Sequence, residues 1–123
     1  MILSVDPSRA LPVYEQVREQ IRRMVAAGTL QPGTRLPTIR QLAADLGLAK
    51  GTIERAYELL EADTVIERHG RIGSYVSDVA KSTQREMTVG LEAAAEVLVI
   101  VARQLGADEE ATLRAVRSAW RQL

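Results

Sequence analysis

The fold is decided by residues 38–62, TIRQLAADLGLAKGTIERAYELLEA. Apolar residues recur there at intervals of three and four on both sides of a short break, which predicts two amphipathic helices. Thr38, with Gln41 three residues later, forms a capping-box pattern for the first helix, and Gly47 suits its end. The second helix is expected over residues 50–62. Two short helices joined by a tight glycine turn indicate a helix-turn-helix.

Another amphipathic helix is predicted ahead of this pair, over residues 13–27. Pro12 suits its first turn, and Gly28 suits the left-handed position just past its end. The stretch that follows, LQPGTRLP at residues 30–37, contains two prolines and a glycine. We therefore expect a structured turn segment that returns its two leucines to the core.

A short β-hairpin is predicted after the helix-turn-helix, from VIERH at residues 65–69 and RIGSYV at residues 71–76, hinged on Gly70. A helix, a helix-turn-helix and a hairpin in this order indicate a winged helix. In that architecture the second helix of the pair enters the major groove of DNA and the hairpin lies against the backbone or minor groove. The predicted fold class is mostly α with a small β-hairpin.

Two tail helices are expected beyond the hairpin, one over about residues 83–105 and one beginning after Asp108. The apolar face of the first is too broad for a free surface, and a pair of helices buries only one face of each, so the pair must pack on something. They can pack against the same pair in a second copy of the chain or fold back onto the N-terminal domain, and we favour the two-fold dimer. The predicted domains are residues 1–79 and 80–123. The predicted dimer interface comprises Met87, Leu91, Leu98, Val101, Leu105, Val116 and Trp120.

Composition excludes several classes of chemistry. The 123 residues include no cysteine and one histidine, so disulfides, thiolate zinc sites and thiol nucleophiles are excluded. The sequence contains no glycine-rich phosphate loop and no nucleophile-base or metal-ligand constellation, so we expect neither an enzyme nor a metal or cofactor site. Glu109 and Glu110 are explained by the dipole of the helix that they begin. The absence of a secretory leader and of a long apolar run makes a cytoplasmic protein the expectation.

The charge pattern is more informative than the net charge, which is zero from 16 basic and 16 acidic residues. A protein that is held on DNA by phosphate neutralisation usually has a basic surplus. Residues 35–55 contain four basic against two acidic side chains, and the hairpin adds two arginines. We expect the acidic residues in between to face away from DNA; these are Glu58, Glu61, Asp63 and Glu67.

Four segments carry a resemblance to a known family: PVYEQVREQI at residues 12–21, GTLQPGTRLPTIRQLA at 28–43, the Leu46-Gly47 corner, and RHGRIGSYV at 68–76. Together they closely resemble the N-terminal winged-helix domain of GntR-family bacterial transcription regulators. The short tail and the TIERAY run at residues 52–57 are most similar to the YtrA subfamily.

The resemblance implies a homodimeric regulator, a repressor in our interpretation, that binds a pseudo-palindromic operator in double-stranded DNA. Release by a small-molecule effector is a further option. The alternative is a dimerising protein-interaction module on a winged-helix scaffold without DNA binding. The residues predicted to contact DNA are Arg35, Thr38 and Arg40 before and at the start of the first helix of the pair, Lys50, Gly51, Thr52 and Arg55 on the second, and Arg68, His69, Gly70 and Arg71 on the wing.

Within that set, the resemblance implies a phosphate contact for Arg40 and a base contact for Lys50. Two positions depart from the family pattern. Ala49 stands where relatives commonly have a serine or asparagine that caps the recognition helix, and Gly51 replaces a side chain that often contacts bases. Specificity is therefore expected to depend more on Lys50, Thr52 and DNA shape.

Overall fold

A computed structural model describes residues 1–78 and 84–123, which lie in two compact units, Met1–Asp78 and Val79–Leu123. The first unit contains α1 (Val13–Ala26), α2 (Ile39–Leu46), α3 (Lys50–Ala62), β1 (Ile66–Arg68) and β2 (Ser74–Val76), and the second contains α4 (Gln84–Gln104) and α5 (Glu109–Gln122). The predicted class, a mostly α winged helix-turn-helix followed by two helices, is confirmed. The predicted domain boundary between residues 79 and 80 lies outside the described residues.

The core of the first unit forms where α3 packs against α1, α2 and β1. α3 contributes Ile53, Ala56, Tyr57 and Leu60, all fully buried and spaced at three and four residues. Burying each large apolar side chain stabilises the fold by about 1.5–3 kcal/mol. The other buried apolar residues of this core are Val17, Ile21, Leu30, Leu36, Leu42, Ala43, Ile66 and Val76. α3 is thereby fixed along its whole buried face.

The corner between α2 and α3 follows the prediction. Gly47 ends α2 in the left-handed conformation, with φ +66°, and Leu48 N–H donates to the Ala43 carbonyl at 2.9 Å. α3 begins three residues after Gly47, at Lys50. The first helix also ends as predicted, with Gly28 at φ +79°, whereas Pro12 lies one residue before the first helical residue.

The turn of the hairpin differs from the prediction. The strands pair antiparallel, with Ile66 opposite Val76, but the connection is a 3-10 helix over Gly70–Ile72 rather than a hinge at Gly70 alone. His69 N–H donates to the Gly73 carbonyl at 2.9 Å and closes the loop. The loop contains two left-handed positions, Gly70 at φ +58° and Gly73 at φ +124°, so both glycines are required by the backbone.

Residues 33–36 run beside β2 and extend the hairpin by a third short segment. Gly33 N–H donates to the Val76 carbonyl at 2.9 Å, and Leu36 N–H donates to the Ser74 carbonyl at 2.8 Å. The two leucines of the segment 30–37 are buried, as predicted. The strand pairing was not predicted, because two prolines in eight residues indicate a turn and no alternating pattern marks a strand.

The N-terminal arm is attached to α1 by glutamine side chains. Gln16 is almost fully buried; its side-chain oxygen accepts from Asp6 N–H at 2.8 Å and its amide donates to the Asp6 and Leu11 carbonyls, both at 2.9 Å. Gln20 bonds both backbone groups of Ser4 in the same way. A buried amide is tolerated here because its donors and its acceptor are paired.

The second unit consists of α4 and α5 joined by a tight loop. Gly106 lies just past the end of α4 in the left-handed conformation, with φ +78°. The Asp108 carboxylate caps α5 by accepting from Ala111 N–H at 2.8 Å. Both features were predicted from the sequence. Across residues 1–78 and 84–123, no helix combines the length and the apolar character needed to cross a membrane.

Candidate nucleic-acid interface

The N-terminus of α2 lies beside a basic side chain. Thr38 Oγ1 accepts from Gln41 N–H at 3.1 Å, and Gln41 Oε1 accepts from Thr38 N–H at 3.0 Å, so the predicted capping box is present. Arg40 lies one residue inside the helix and is exposed. A helix N-terminus with an arginine in its first turn favours a phosphate group.

An arginine-lined groove of about 470 Å³ connects this helix start to the wing. Its lining contains four arginines and one carboxylate, that of Glu61. From the sequence we expect Glu61 to face away from DNA, but this residue lines the groove. It lies one turn after Tyr57, on the part of α3 that borders α2 and the wing. The lining residues are Arg35, Thr38, Ile39, Arg40, Glu61, Arg68, Gly70, Arg71, Gly73 and Ser74.

Arg35 lies over the wing turn because its own backbone pairs with β2. Arg35 forms an isolated bridge to Tyr75, and its guanidinium approaches the place where a side chain at Gly73 would begin. A Cβ at Gly73 would lie 3.0 Å from Arg35 Nε. The glycine is thus required twice, by its positive φ and by the arginine that covers it.

Tyr57 fastens α3 to the segment that carries Arg35. Its hydroxyl donates to the Pro37 carbonyl at 2.7 Å, and the ring is fully buried. Burial raises the pKa of Tyr57 to about 12, while the positive charge of Arg68 acts in the opposite direction. Tyr57 is a core residue, as expected, and it keeps the groove and the recognition helix in a fixed relation.

The first turn of α3 carries the residues predicted to read bases. Lys50 and Gly51 are exposed, Thr52 is half-buried, and a Cβ added at Gly51 would meet no heavy atom within 4 Å. Ala49 occupies the N-cap position with extended backbone and makes no side-chain hydrogen bond to the helix, as expected from its side chain. The start of α3 is therefore open and uncapped.

Arg55, one turn further along α3, contacts an aromatic ring. Its guanidinium carbon lies 4.9 Å from the centre of the Tyr14 ring on α1, which is a cation–π geometry. Arg55 is still exposed, so the contact orients the side chain without burying it.

Two of the predicted wing residues lie beside carboxylates, and a third is exposed at the tip. Arg68 Nη2 donates to Glu54 Oε1 on α3 at 2.8 Å, and His69 Nε2 lies 3.2 Å from Glu67 Oε2. The His69 ring also contacts the Tyr75 ring, with 5.9 Å between the centres. Arg71 is exposed at the tip. In the sequence Glu54 is one of the two acidic residues within positions 35–55. The spacing of residues 54 and 68 contains no signal for their contact.

The structure therefore gathers six of the predicted DNA-contact residues around one groove: Arg35, Thr38, Arg40, Arg68, Gly70 and Arg71. The other five lie outside its lining: Lys50, Gly51, Thr52 and Arg55 along α3, and His69 on the wing. The groups belong to the same compact unit. An arginine-lined groove at the N-terminus of α2, in the same unit as an exposed start of α3, is an arrangement that suits phosphate contacts from the groove and base contacts from α3.

The residues predicted at a dimer interface lie in the second unit, on α4 and α5 except for Leu105, which directly follows α4. They are all solvent-accessible within a single chain: Leu98 is the least exposed of those on α4 at 38%, and Trp120 on α5 is 83% exposed. Among residues 1–78 and 84–123, no group of histidine and acidic side chains is arranged to hold a metal ion.

Comparisons with known proteins agree with this arrangement. The family described as bacterial regulatory proteins, gntR family, matches residues 13–76. The HTH-type transcriptional regulator Rv1152 of Mycobacterium tuberculosis is 40% identical over 112 residues, 91% of this chain and 88% of the relative. The HTH-type transcriptional repressor YtrA of Bacillus subtilis is 32% identical over 111 residues, 89% of this chain and 85% of the relative.

Two solved structures extend the similarity to three dimensions. YtrA from Sulfolobus acidocaldarius, a GntR-family transcription factor, superposes with a TM-score of 0.73 at 26% identity, covering 98% of each chain. AraR(DBD) in complex with operator ORX1 superposes with a TM-score of 0.55 at 26% identity, covering 63% of this chain and 95% of that one. The resemblance inferred from sequence is confirmed: the chain belongs to the gntR family of bacterial regulatory proteins, as a transcription regulator built on a winged helix-turn-helix.

Proposed function

We propose that this regulator is a homodimeric repressor that binds a pseudo-palindromic operator, with one winged helix on each half-site. The arginine groove between the start of α2 and the wing is the observation that carries the DNA-binding part. Arg35, Arg40 and Arg71 supply phosphate contacts there, while Lys50 and Thr52 approach base edges in the major groove. The operator complex of AraR and the repressor name of the Bacillus subtilis relative support the same role.

We assign dimerisation to the tail, because α4 carries exposed apolar residues at the spacing of a heptad repeat. Met87, Leu91, Ala94, Leu98 and Val101 follow one another in steps of four and three along α4, and Leu105 continues the spacing one residue past its end. Such a stripe is the pattern of a two-helix seam, and exposed apolar surface of this extent is unusual on a monomer. Val116 and Trp120 on α5 extend the proposed interface. Release by a small-molecule effector stays a prediction.

Two charge-removing substitutions separate positioning from base recognition. We expect Arg40→Ala to weaken binding to all sequences alike and to reduce the slope of log K against log salt by about 1, because one phosphate contact is lost. We expect Lys50→Ala to reduce discrimination between operator and random DNA by about 1–3 kcal/mol. Mobility-shift titrations at several salt concentrations measure both quantities.

Arg22→Ala is the matched control, since Arg22 is an exposed arginine on α1 that does not line the groove. It should change neither the salt slope nor the discrimination. Equal losses on operator and random DNA for Lys50→Ala would contradict its base-reading role. A parent protein without salt-sensitive binding would favour the alternative, a protein-interaction module on the same scaffold.

A further inference from the structure

α3 carries a carboxylate on the same side as Lys50, the residue proposed above to approach base edges. Glu54 lies one turn after Lys50 on α3, between the buried stripe and the exposed side of the helix, and its side chain is 41% exposed. DNA phosphates repel a negative charge in the major groove, so a glutamate at this position weakens binding unless its charge is compensated.

Arg68 supplies that compensation from the wing. Its Nη2 donates to Glu54 Oε1 at 2.8 Å, and the Arg68 side chain is 25% exposed. A guanidinium has five N–H donors in a planar fork, so Arg68 can hold the carboxylate and still border the phosphate-binding groove that it lines. The ion pair therefore holds one oxygen of the carboxylate and offsets part of its negative charge.

One carboxylate oxygen remains available to a base. Arg68 engages Oε1, and within residues 1–78 and 84–123 no protein donor bonds Oε2. Gly51, one turn earlier on α3, has no side chain, and the space beside it holds no heavy atom within 4 Å of a Cβ position. The backbone of α3 can therefore come close to the base edges next to Glu54.

We propose that Glu54 recognises a cytosine in each operator half-site and that Arg68 is its positioning residue. In the major groove a carboxylate accepts a hydrogen bond from the cytosine N4 amino group, whereas guanine and thymine present acceptors that repel it. This role rests on the DNA-binding function.

Selection of binding sites from a randomised duplex, with the full-length protein, tests the assignment. Glu54→Gln keeps the size of the side chain but replaces a pure acceptor by a donor and an acceptor, which suits adenine. We expect the preference for cytosine at one position of each half-site to fall by roughly 10- to 100-fold, with adenine gaining. Arg68→Ala should weaken the same preference, and Arg68→Lys should restore part of it because the positive charge returns.

Glu58→Gln is the matched control. Glu58 is exposed one turn further along the same helix, and its substitution removes the same charge. It should strengthen binding to all sequences without changing the selected base. The assignment is overturned if Glu54→Gln behaves like Glu58→Gln, with a uniform change and the cytosine retained. A parent protein that binds no DNA overturns the DNA-binding function itself, which is a distinguishable result.

Discussion

At the scale of the residue, Tyr57 connects burial with the placement of the recognition helix. Its hydroxyl is held by the Pro37 carbonyl, and its pKa of about 12 lies above the ordinary value of 10.0 because burial disfavours the phenolate. The unfolded chain releases this proton near the ordinary value, while the folded chain retains it to higher pH. The stability contributed by the neutral tyrosine is therefore complete below about pH 10 and is lost as the pH rises towards about 12.

Tyr57→Phe should remove this alkaline loss. At neutral pH we expect a cost of about 1–2 kcal/mol, because the partly buried hydrogen bond to the Pro37 carbonyl is lost. Between about pH 7 and pH 11 the parent should lose roughly 1 kcal/mol more stability than the variant. Urea unfolding at both pH values measures the difference. An identical alkaline loss in the two proteins would contradict the pKa shift as its cause.

At the scale of the element, the two helices of the helix-turn-helix begin differently. α2 starts with a complete capping box at Thr38, whereas α3 starts at Ala49 without a side-chain cap. The backbone of Ala49 is nevertheless extended, with φ −67° and ψ 146°, which is the conformation of a capping residue. Thr52 N–H donates to the Ala49 carbonyl at 3.1 Å, and the alanine side chain offers no acceptor to the N–H groups of this first turn.

Ala49→Ser should stabilise the protein by about 1 kcal/mol, because the serine hydroxyl accepts from an N–H of the first turn of α3. Thr38→Ala is the reciprocal change and should destabilise by a similar amount, since it removes an existing cap. Thermal unfolding followed by circular dichroism measures both. No gain from Ala49→Ser would show that the first turn of α3 already has partners.

At the scale of the whole molecule, the two units have different sources of stability. All twelve residues of the clustered core belong to Met1–Asp78, while the large apolar side chains of α4 and α5 are exposed. The first unit therefore has the buried surface of an independent domain, and we expect the second to need a partner surface.

A chain that ends after Val79 should be folded and monomeric, with much weaker operator binding than the full-length protein. Analytical ultracentrifugation and mobility shift measure the two effects. Leu98→Glu in the full-length chain should also give monomers, because it places a charge in the centre of the apolar stripe of α4. A truncated chain that still sediments as a dimer would contradict dimerisation through the tail.

The sequence by itself determined the features that depend on near neighbours along the chain. The ends of α2, the bounds of α3 and the cap of α5 follow from residues such as Thr38, Gly47 and Asp108, because the hydrogen bonds involved span only a few residues. The family resemblance also depended on contiguous motifs, and it extended these local features to the winged helix as a whole.

Only the tertiary structure decided which distant side chains meet. The pairing of residues 33–36 with β2 and the position of Arg55 over Tyr14 both depend on how the elements pack in three dimensions. The bond between Arg68 and Glu54 joins positions 14 residues apart, and it depends on how the hairpin lies against α3. The periodicity of a sequence fixes which face of an element is buried, but the partner of an exposed charge is set by packing between elements, which no local pattern encodes.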